Sequence, residues 1–596
     1  MKIIYILFIL LISAMTINSQ EKKLPEWAKG IVWYQIFPER FANGDESNDP
    51  TPDKVFINQK SAPEGWQITP WTSNWYSQQE WEKKLGGKFN DHLTSRRYGG
   101  DIQGILNNLD YLQELGIKGI YFNPIFDAVS MHKYDGSTFH HIDVNFGPDP
   151  SGDRWLISKE TPDDPTTWAW TAADLLFLKL ISEVHQRGMY IIIDGVFNHT
   201  GVQFWAFQDI IKNGANSKHK DWYIVKSFDD PSTEKNEFDY KGWWNHKSMP
   251  EFNRTEENLT DPVKNYILAA TKRWMDPIGN GSIHKGIDGW RLDVARDVPL
   301  GFWKDWSKQV KSTNPNSIIV GELWEISPDF ISENGVFDAL MNYPFSYPVM
   351  NLFVDKEKQI SVSEFIKTLQ KVDNNYPEGN LHLLQNLLAS HDTERLSSMI
   401  VNPDRQYDRD ADERNPNYNP GKPSPEDYMT QKLIVAFQMT YRGAPMLFYG
   451  DEAGMWGPDD PHCRKPMVWD NLSYDNEVVT SNSGFSKGLG TYEVEVNQDL
   501  LDFYKKIIRI RNENPPLRLG DLEFINVDDE KKLFGIKRNY EGKTVIAFFN
   551  LGQQTQSVEL DGIDFAADIF ENQKISKSEN IVTIHIDGGN FRIISF

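Results

Sequence analysis

The chain has one cysteine, Cys463, in 596 residues. No intrachain disulfide can form, so stability has to come from the core and from any bound metal. Positive charge is also scarce: 62 Lys and Arg stand against 85 Asp and Glu, a net charge of -23. That balance argues against a nucleic-acid partner or an anionic membrane surface and suits a neutral substrate. Short-period repeats and low-complexity linkers are absent. Tryptophan, by contrast, is plentiful at 20 residues, with aromatics at 13%. Such usage serves stacking on sugar faces or the packing of a large α/β core, and composition does not choose between them.

Residues Met1–Gln20 read as a secretory leader, with Lys2 as the positive start, Ile3–Met15 as the apolar stretch and Ser19 as the last leader residue. The apolar stretch is short for a membrane span, which leaves an uncleaved anchor as the lesser alternative. No cysteine follows it, so a lipidated cysteine is excluded. The expectation is an exported protein, periplasmic or secreted, with no membrane attachment once the leader is removed.

Length predicts more than one domain. Eight short apolar runs recur along the chain: 31–38, 119–123, 190–194, 289–293, 317–322, 337–342, 383–390 and 444–449. Helical segments separate most of them, notably Ile102–Leu115, a helix from Thr171 to about Arg187, one opening at Asp261-Pro262, and Leu501–Asn512. This alternation predicts a parallel (β/α)8 barrel. Residues 53–97 and 130–170 read as long loops. Pro515-Pro516 reads as a break, followed by an alternating antiparallel β-sandwich domain. The expected division is a leader over 1–19, a barrel over 20–198 and 261–516, an inserted domain over 199–260 after the third strand, and a C-terminal β domain over 517–596.

Gly289-Trp-Arg-Leu-Asp293 is the stretch around which the chemistry gathers. Alternation on a strand points Arg291 and Asp293 to one face, and a guanidinium beside a carboxylate favours its ionised form. That arrangement serves a covalent nucleophile or a structural ion pair equally well. Three other strand ends carry acids: Asp194, Glu322 and Asp392. In a barrel of this kind strand ends converge on one mouth. Clustered acids there suit a divalent-metal site or a glycosidase carboxylate pair.

Asp194-Gly-Val-Phe-Asn-His199, Gly289-Trp-Arg-Leu-Asp293, Gly321-Glu-Leu-Trp324 and Ser390-His-Asp392 resemble, in order, the signature regions of the α-amylase superfamily. Met249-Pro-Glu-Phe-Asn253, Phe337–Pro344 and Ser390–Arg395 are similar to its neopullulanase–cyclomaltodextrinase branch. The resemblance implies a retaining α-glucan hydrolase acting on maltodextrins, starch fragments, pullulan or cyclodextrins. It implies Asp293 as nucleophile, Glu322 as acid and base, and Asp392 as stabiliser of the transition state. Arg291 would orient Asp293, His199 and His391 would donate to sugar hydroxyls, and Tyr134 of His132-Lys-Tyr134 would stack on the reacting glucose. Asp460 and Arg464 would bind the same sugar or the next. A structural Ca2+ is implied at Asn43, Asp45, Asn48, Asp49, Gly99 and Asp101, where hard oxygen ligands crowd a short loop.

The chain also departs from the pattern. Arg296-Asp297 stands where a typical α-amylase has a Lys-His pair contacting the leaving-side sugar, and Glu325 where relatives often have histidine. The barrel follows the leader directly, without the N-terminal β domain that helps relatives dimerise, so a monomer is expected. The rivals are a glucanotransferase sharing the intermediate and a catalytically silent glucan-binding protein. A metal-dependent phosphatase-type hydrolase lacks the histidine cluster it would need.

Overall fold

A computed structural model describes residues 23–332, 335–561, 566–575, 577–578 and 581–596. The leader expected at 1–19 lies outside the described residues. No helix among them is long and apolar enough to cross a membrane.

Eight parallel strands close into a barrel in chain order: β1 Trp33–Ile36, β2 Gly119–Phe122, β3 Tyr190–Gly195, β4 Gly289–Leu292, β5 Ile318–Leu323, β6 Ala339–Asn342, β7 Gln385–Leu387 and β8 Ala444–Phe448. β8 returns to β1, with Trp33 opposite Met446. Buried strands of this kind read as continuous apolar runs, because sheet faces point to the interior or to covering helices. The lower interior is filled by Trp33, Tyr121, Ile192, Val320, Met341 and Met446, so the barrel is a core and not a channel.

The helices form where caps and periodicity predict them. Thr171 caps Ala172–Gln186 in a reciprocal box with Asp174. The predicted helix over 102–115 is broken at Asn108, whose amide donates to the Gly104 carbonyl and whose backbone leaves helical geometry. Residues 53–97 are not all loop: Gln79 and Glu82 box the start of a helix over Glu80–Leu85, and Glu82 pairs with buried Arg96 at 2.6 Å. The predicted strand over 383–390 keeps only Gln385–Leu387 in the ladder. Pro515-Pro516 starts a short helix, Pro515–Leu519, because proline suits a first helical turn.

Between β3 and β4 the chain makes a helix, Trp205–Asn213, and a small antiparallel pair, Val225–Ser227 with Asp239–Tyr240. Phe207, Tyr223 and Phe252 pack there edge to face or stacked. Arg254 ties this excursion to the barrel by donating to Asn198 Oδ1 and to its carbonyl, both at 2.8 Å. From Glu523 onward the structure is antiparallel β, in a six-stranded and a three-stranded sheet. Phe548, Ile546 and Ile594 of the first sheet meet Val558, Ile584 and Ile586 of the second, as in a two-layer sandwich.

Candidate active site

Register brings the acids together. Asp194 lies opposite Arg291, and Leu292 opposite Gly321. One step further along both strands, Asp293 and Glu322 stand side by side, on strands spaced about 4.8 Å apart. Gly321 lets this happen: a Cβ there would lie 2.5 Å from the Phe337 ring behind the strand.

Arg291 is fully buried and serves three carboxylates. Its Nη1 lies 2.8 Å from Asp293 Oδ1 and 3.0 and 2.9 Å from the two Asp194 oxygens. Its Nη2 is 3.0 Å from Glu322 Oε2, an ion pair whose angle is not that of a hydrogen bond. Glu322 instead accepts from the Val294 backbone N–H at 2.8 Å and from Trp324 Nε1 at 3.0 Å. Val294 reaches this position in the left-handed region, at φ 38 and ψ 47, which a β-branched residue rarely adopts. Backbone strain at a reacting centre is a common mark of function.

The expectation that Arg291 alone keeps Asp293 ionised needs correction. Burial pushes the Asp293 carboxyl up, Arg291 opposes this, and the charges of Glu322, Asp194 and Asp392 raise it further. Shared with Asp194 and Glu322, one guanidinium does not offset the desolvation of Asp293 and the repulsion from its neighbours.

A third acid faces them. Asp392 is held by Arg464 Nη2 at 3.1 Å and lies 3.1 Å from His391 Nε2. Burial raises its carboxyl to about 7, against the pull of Arg464. Arg464 also pairs with Asp460 at 3.0 Å and donates to the His391 carbonyl at 2.7 Å.

The aromatic and imidazole groups complete the wall. Tyr134 stacks on His391 at 5.3 Å and 6°, with its hydroxyl 2.6 Å from Nε2 and 3.0 Å from Asp194 Oδ2. An amide nitrogen only donates, so Gln35 Nε2, 2.8 Å from His391 Nδ1, puts the His391 proton on Nε2. His132 accepts the Tyr134 backbone N–H at Nδ1 and is lowered to about 3 by burial and by Arg464. His199 is lowered to about 3, chiefly by burial, and its Nε2 has no hydrogen-bond partner in the protein.

These groups line a cavity of about 960 Å³, together with Trp243, Trp244, Arg296, Asp297, Trp324, Tyr407 and Asp408. The structure thus brings His132, Tyr134, His199, Asp293, Glu322, Asp392, Asp460 and Arg464 to one mouth, with Arg291 and His391 beneath. Sequence reasoning gave no role to Trp243, Trp244 or Tyr407, which sit on excursions without a strand-end signal. Arg296 and Asp297 turn away from a paired role: Arg296 pairs with Glu325 at 2.5 Å, and Asp297 accepts from Trp243 Nε1 at 2.8 Å.

The residues expected to hold metal cluster beside the β1 loop. Asn43 Nδ2 donates to Asp49 Oδ1 at 2.9 Å, while Asn43 Oδ1 and Asn48 Oδ1 are buried without a partner. Gly99, at φ +80, leaves room for them: a Cβ would lie 2.0 Å from Asp49 Oδ1. Burial raises the Asp49 carboxyl to about 6. Asp101 accepts from the Gly44, Asp45 and Gly104 N–H groups and from Asn48 Nδ2, which folds the loop over it. Asp45 Oδ1 caps Ser47. A separate group unites His140 and His141 Nε2 on Glu160 Oε2, with His141 Nδ1 2.8 Å from Asp174. Sequence reasoning missed this group because its members lie on two loops and a helix.

Comparison with known proteins agrees with this geometry. The alpha amylase catalytic-domain family model matches residues 35–159 and 172–520. Neopullulanase 2 of Thermoactinomyces vulgaris is 34% identical over 544 residues, 91% of this chain and 73% of that protein. A Bacillus cyclomaltodextrinase is 33% identical over 532 residues, 88% of this chain and 73% of its own length. Among solved structures, a cyclomaltodextrinase superposes with a TM-score of 0.70 at 30% identity, covering 96% of this chain and 79% of its own. Cyclic α-maltosyl-(1→6)-maltose hydrolase of Arthrobacter globiformis gives 0.68 at 25% identity, over 96% of this chain and all of its own. The chain belongs to the alpha-amylase family.

Proposed function

We propose that this protein is a retaining α-glucan hydrolase that cleaves α-1,4 bonds, and α-1,6 bonds where the substrate offers them, through a glycosyl–Asp293 ester. The observation that carries the reading is the level pairing of Asp293 and Glu322 on neighbouring strands beneath one cavity. A retaining pair needs carboxyls about 5–5.5 Å apart, close to the strand spacing. In the first step an Asp293 oxygen bonds to the anomeric carbon as the glycosidic C–O bond breaks, and the Glu322 proton passes to the leaving oxygen. In the second, water attacks that carbon, Glu322 takes its proton, and the ester bond to Asp293 breaks. The reactive form required by these steps has Asp293 as the carboxylate and Glu322 carrying the proton.

The other groups bind and orient. Asp392, held by Arg464, offers negative charge to the cationic transition state. His199 and His391 donate to sugar hydroxyls, His391 by giving up the Tyr134 oxygen that its Nε2 meets at 2.6 Å, and Tyr134 presents its ring to the reacting glucose. His132, Asp460 and Arg464 line the same subsite. Product analysis on starch, pullulan and cyclodextrin side by side tests the substrate reading. Release of short gluco-oligosaccharides from all three supports it, with or without an α-1,6 bond in the pullulan product, and inertness on all three contradicts it.

We also propose that Ca2+ binds Asn43, Asp45, Asn48, Asp49, Gly99 and Asp101. The two partnerless asparagine oxygens and the raised Asp49 carboxyl support this, since a hard cation is what buried oxygen donors want. When bound, the ion would tie the β1 loop to the segment before Ile102. Export rests on the apolar leader.

A further inference from the structure

The excursion between β2 and β3 carries two adjacent histidines, His140 and His141, that meet Glu160 away from the catalytic mouth. His141 Nε2 lies 2.9 Å and His140 Nε2 3.3 Å from Glu160 Oε2. The three atoms lie within 4.8 Å of one another. All three side chains are buried, and none of them lines the cavity that holds Asp293. Ser158, Lys159 and Thr161 are exposed, so the group sits one layer below solvent.

Each member is held from its far side. His141 Nδ1 lies 2.8 Å from Asp174 Oδ2, and the other Asp174 oxygen accepts from the Ile142 N–H. His140 Nδ1 lies 2.8 Å from both Thr138 Oγ1 and Tyr266 Oη, and Trp168 stacks on its ring at 4.1 Å and 8°. Glu160 Oε1 accepts from the Ala169 N–H at 2.7 Å. One atom of each group remains, and the three converge. Histidines that bind a metal have their second nitrogen occupied in this manner. Burial above all lowers His140 to about 3, so it is neutral. Hydroxyls accept as well as donate, so its single proton can sit on Nδ1 and leave a lone pair at Nε2.

The spacing fits a small ion. Bonds of about 2.0–2.1 Å around a tetrahedral centre put neighbouring ligand atoms about 3.3 Å apart. One imidazole-to-carboxylate separation matches that and the other falls a few tenths of an ångström short. Two imidazoles with one carboxylate suit a borderline cation, whereas Ca2+ wants a cage of oxygens.

We propose that His140 Nε2, His141 Nε2 and Glu160 Oε2 bind one Zn2+, with a water completing the four ligands, apart from the calcium loop. The arriving ion displaces one proton, from His141 Nε2. The role is structural. Through Asp174 the ion fastens this excursion to the helix Ala172–Gln186, and through Tyr266 to the helix Asp261–Met275. The proposal is independent of Asp293 and Glu322.

The test titrates the full chain, stripped of transition metals and kept in saturating Ca2+, with Co2+ and then with Zn2+. Wild type should take up one equivalent of Co2+, with the visible absorption of a tetrahedral nitrogen-ligated ion, and Zn2+ should bleach it. Zn2+ should also raise the thermal midpoint by several degrees. His140→Gln and Glu160→Gln should each weaken binding by about a hundredfold or more and lose both signals. Asn48→Ala, in the calcium loop, should bind Co2+ as wild type does. His140→Gln removes no charge, so it decides between outcomes if Glu160→Gln fails to fold. No bound equivalent in wild type, or undiminished binding by folded His140→Gln, would overturn the site.

Discussion

The backbone N–H of Val294 donates to Glu322 Oε2 at 2.8 Å, and Val294 adopts a left-handed conformation to do so. What the site uses is the N–H, not the isopropyl group. Glycine tolerates that conformation, and relief of strain of roughly 1–2 kcal/mol offsets the lost side chain and added backbone freedom. Val294→Gly should therefore keep its thermal midpoint within a few degrees and its turnover within about threefold. Val294→Pro removes the donor and forbids the conformation, and turnover should fall on the order of a hundredfold or more. Equal losses in the two variants would assign the role to the side chain instead.

Asp392 sets a second prediction. Its carboxyl is raised to about 7, first by burial, with Arg464 pulling the other way. The carboxylate form is present above that value and disappears as pH falls through it. An acid limb in kcat/KM should lie there, and Arg464→Met should move it to higher pH. A limb that stays in place in the variant would remove Arg464 from control of Asp392.

The His141 cluster gives a stability prediction. Despite burial, hydrogen bonds to Asp174 and Glu160 raise His141 to about 9. A raised histidine stabilises fully below its unfolded value of about 6.5, and the contribution is lost as pH rises through about 9. Against its burial, Glu160 is depressed to about 2 by hydrogen bonds with His140 and His141, so its share is present above its unfolded value and lost as pH falls from there towards 2. Stability measured by denaturation should thus drop by about 3 kcal/mol between pH 6.5 and 9 through this group. His141→Gln should lower stability at neutral pH and flatten that slope. An unchanged slope would place the proton elsewhere.

Chelation bears on the asparagine loop. If Asn43, Asn48 and Asp49 hold a cation, chelator should lower the thermal midpoint by several degrees, and added Ca2+ should restore it. Asn48→Ala should have a low midpoint that neither treatment moves. Identical melting of wild type with and without chelator would count against the ion.

Much of this arrangement was legible in the sequence because it is local. Strand runs ending in acids, Asp194, Asp293, Glu322 and Asp392, announced both barrel and mouth. What the sequence hid depends on the third dimension. Arg291 serves three acids, not one, because β3, β4 and β5 deliver them to a single guanidinium. Trp243 and Trp244 carry no periodicity, and only the folded excursion stacks them on His199. The His140–His141–Glu160–Asp174 group joins residues up to 34 apart, and no spacing rule marks it.

The covalent ester at Asp293 is the claim on which the rest turns, and it can be trapped. Incubation with 5-fluoro-α-glucosyl fluoride, followed by proteolysis and mass spectrometry, should find one glucosyl adduct, on Asp293. Asp293→Asn should give none while still binding glucan. The reducing end newly formed when water frees the sugar from Asp293 should carry the α configuration. An adduct on another residue, or a newly formed reducing end of β configuration, would contradict the account.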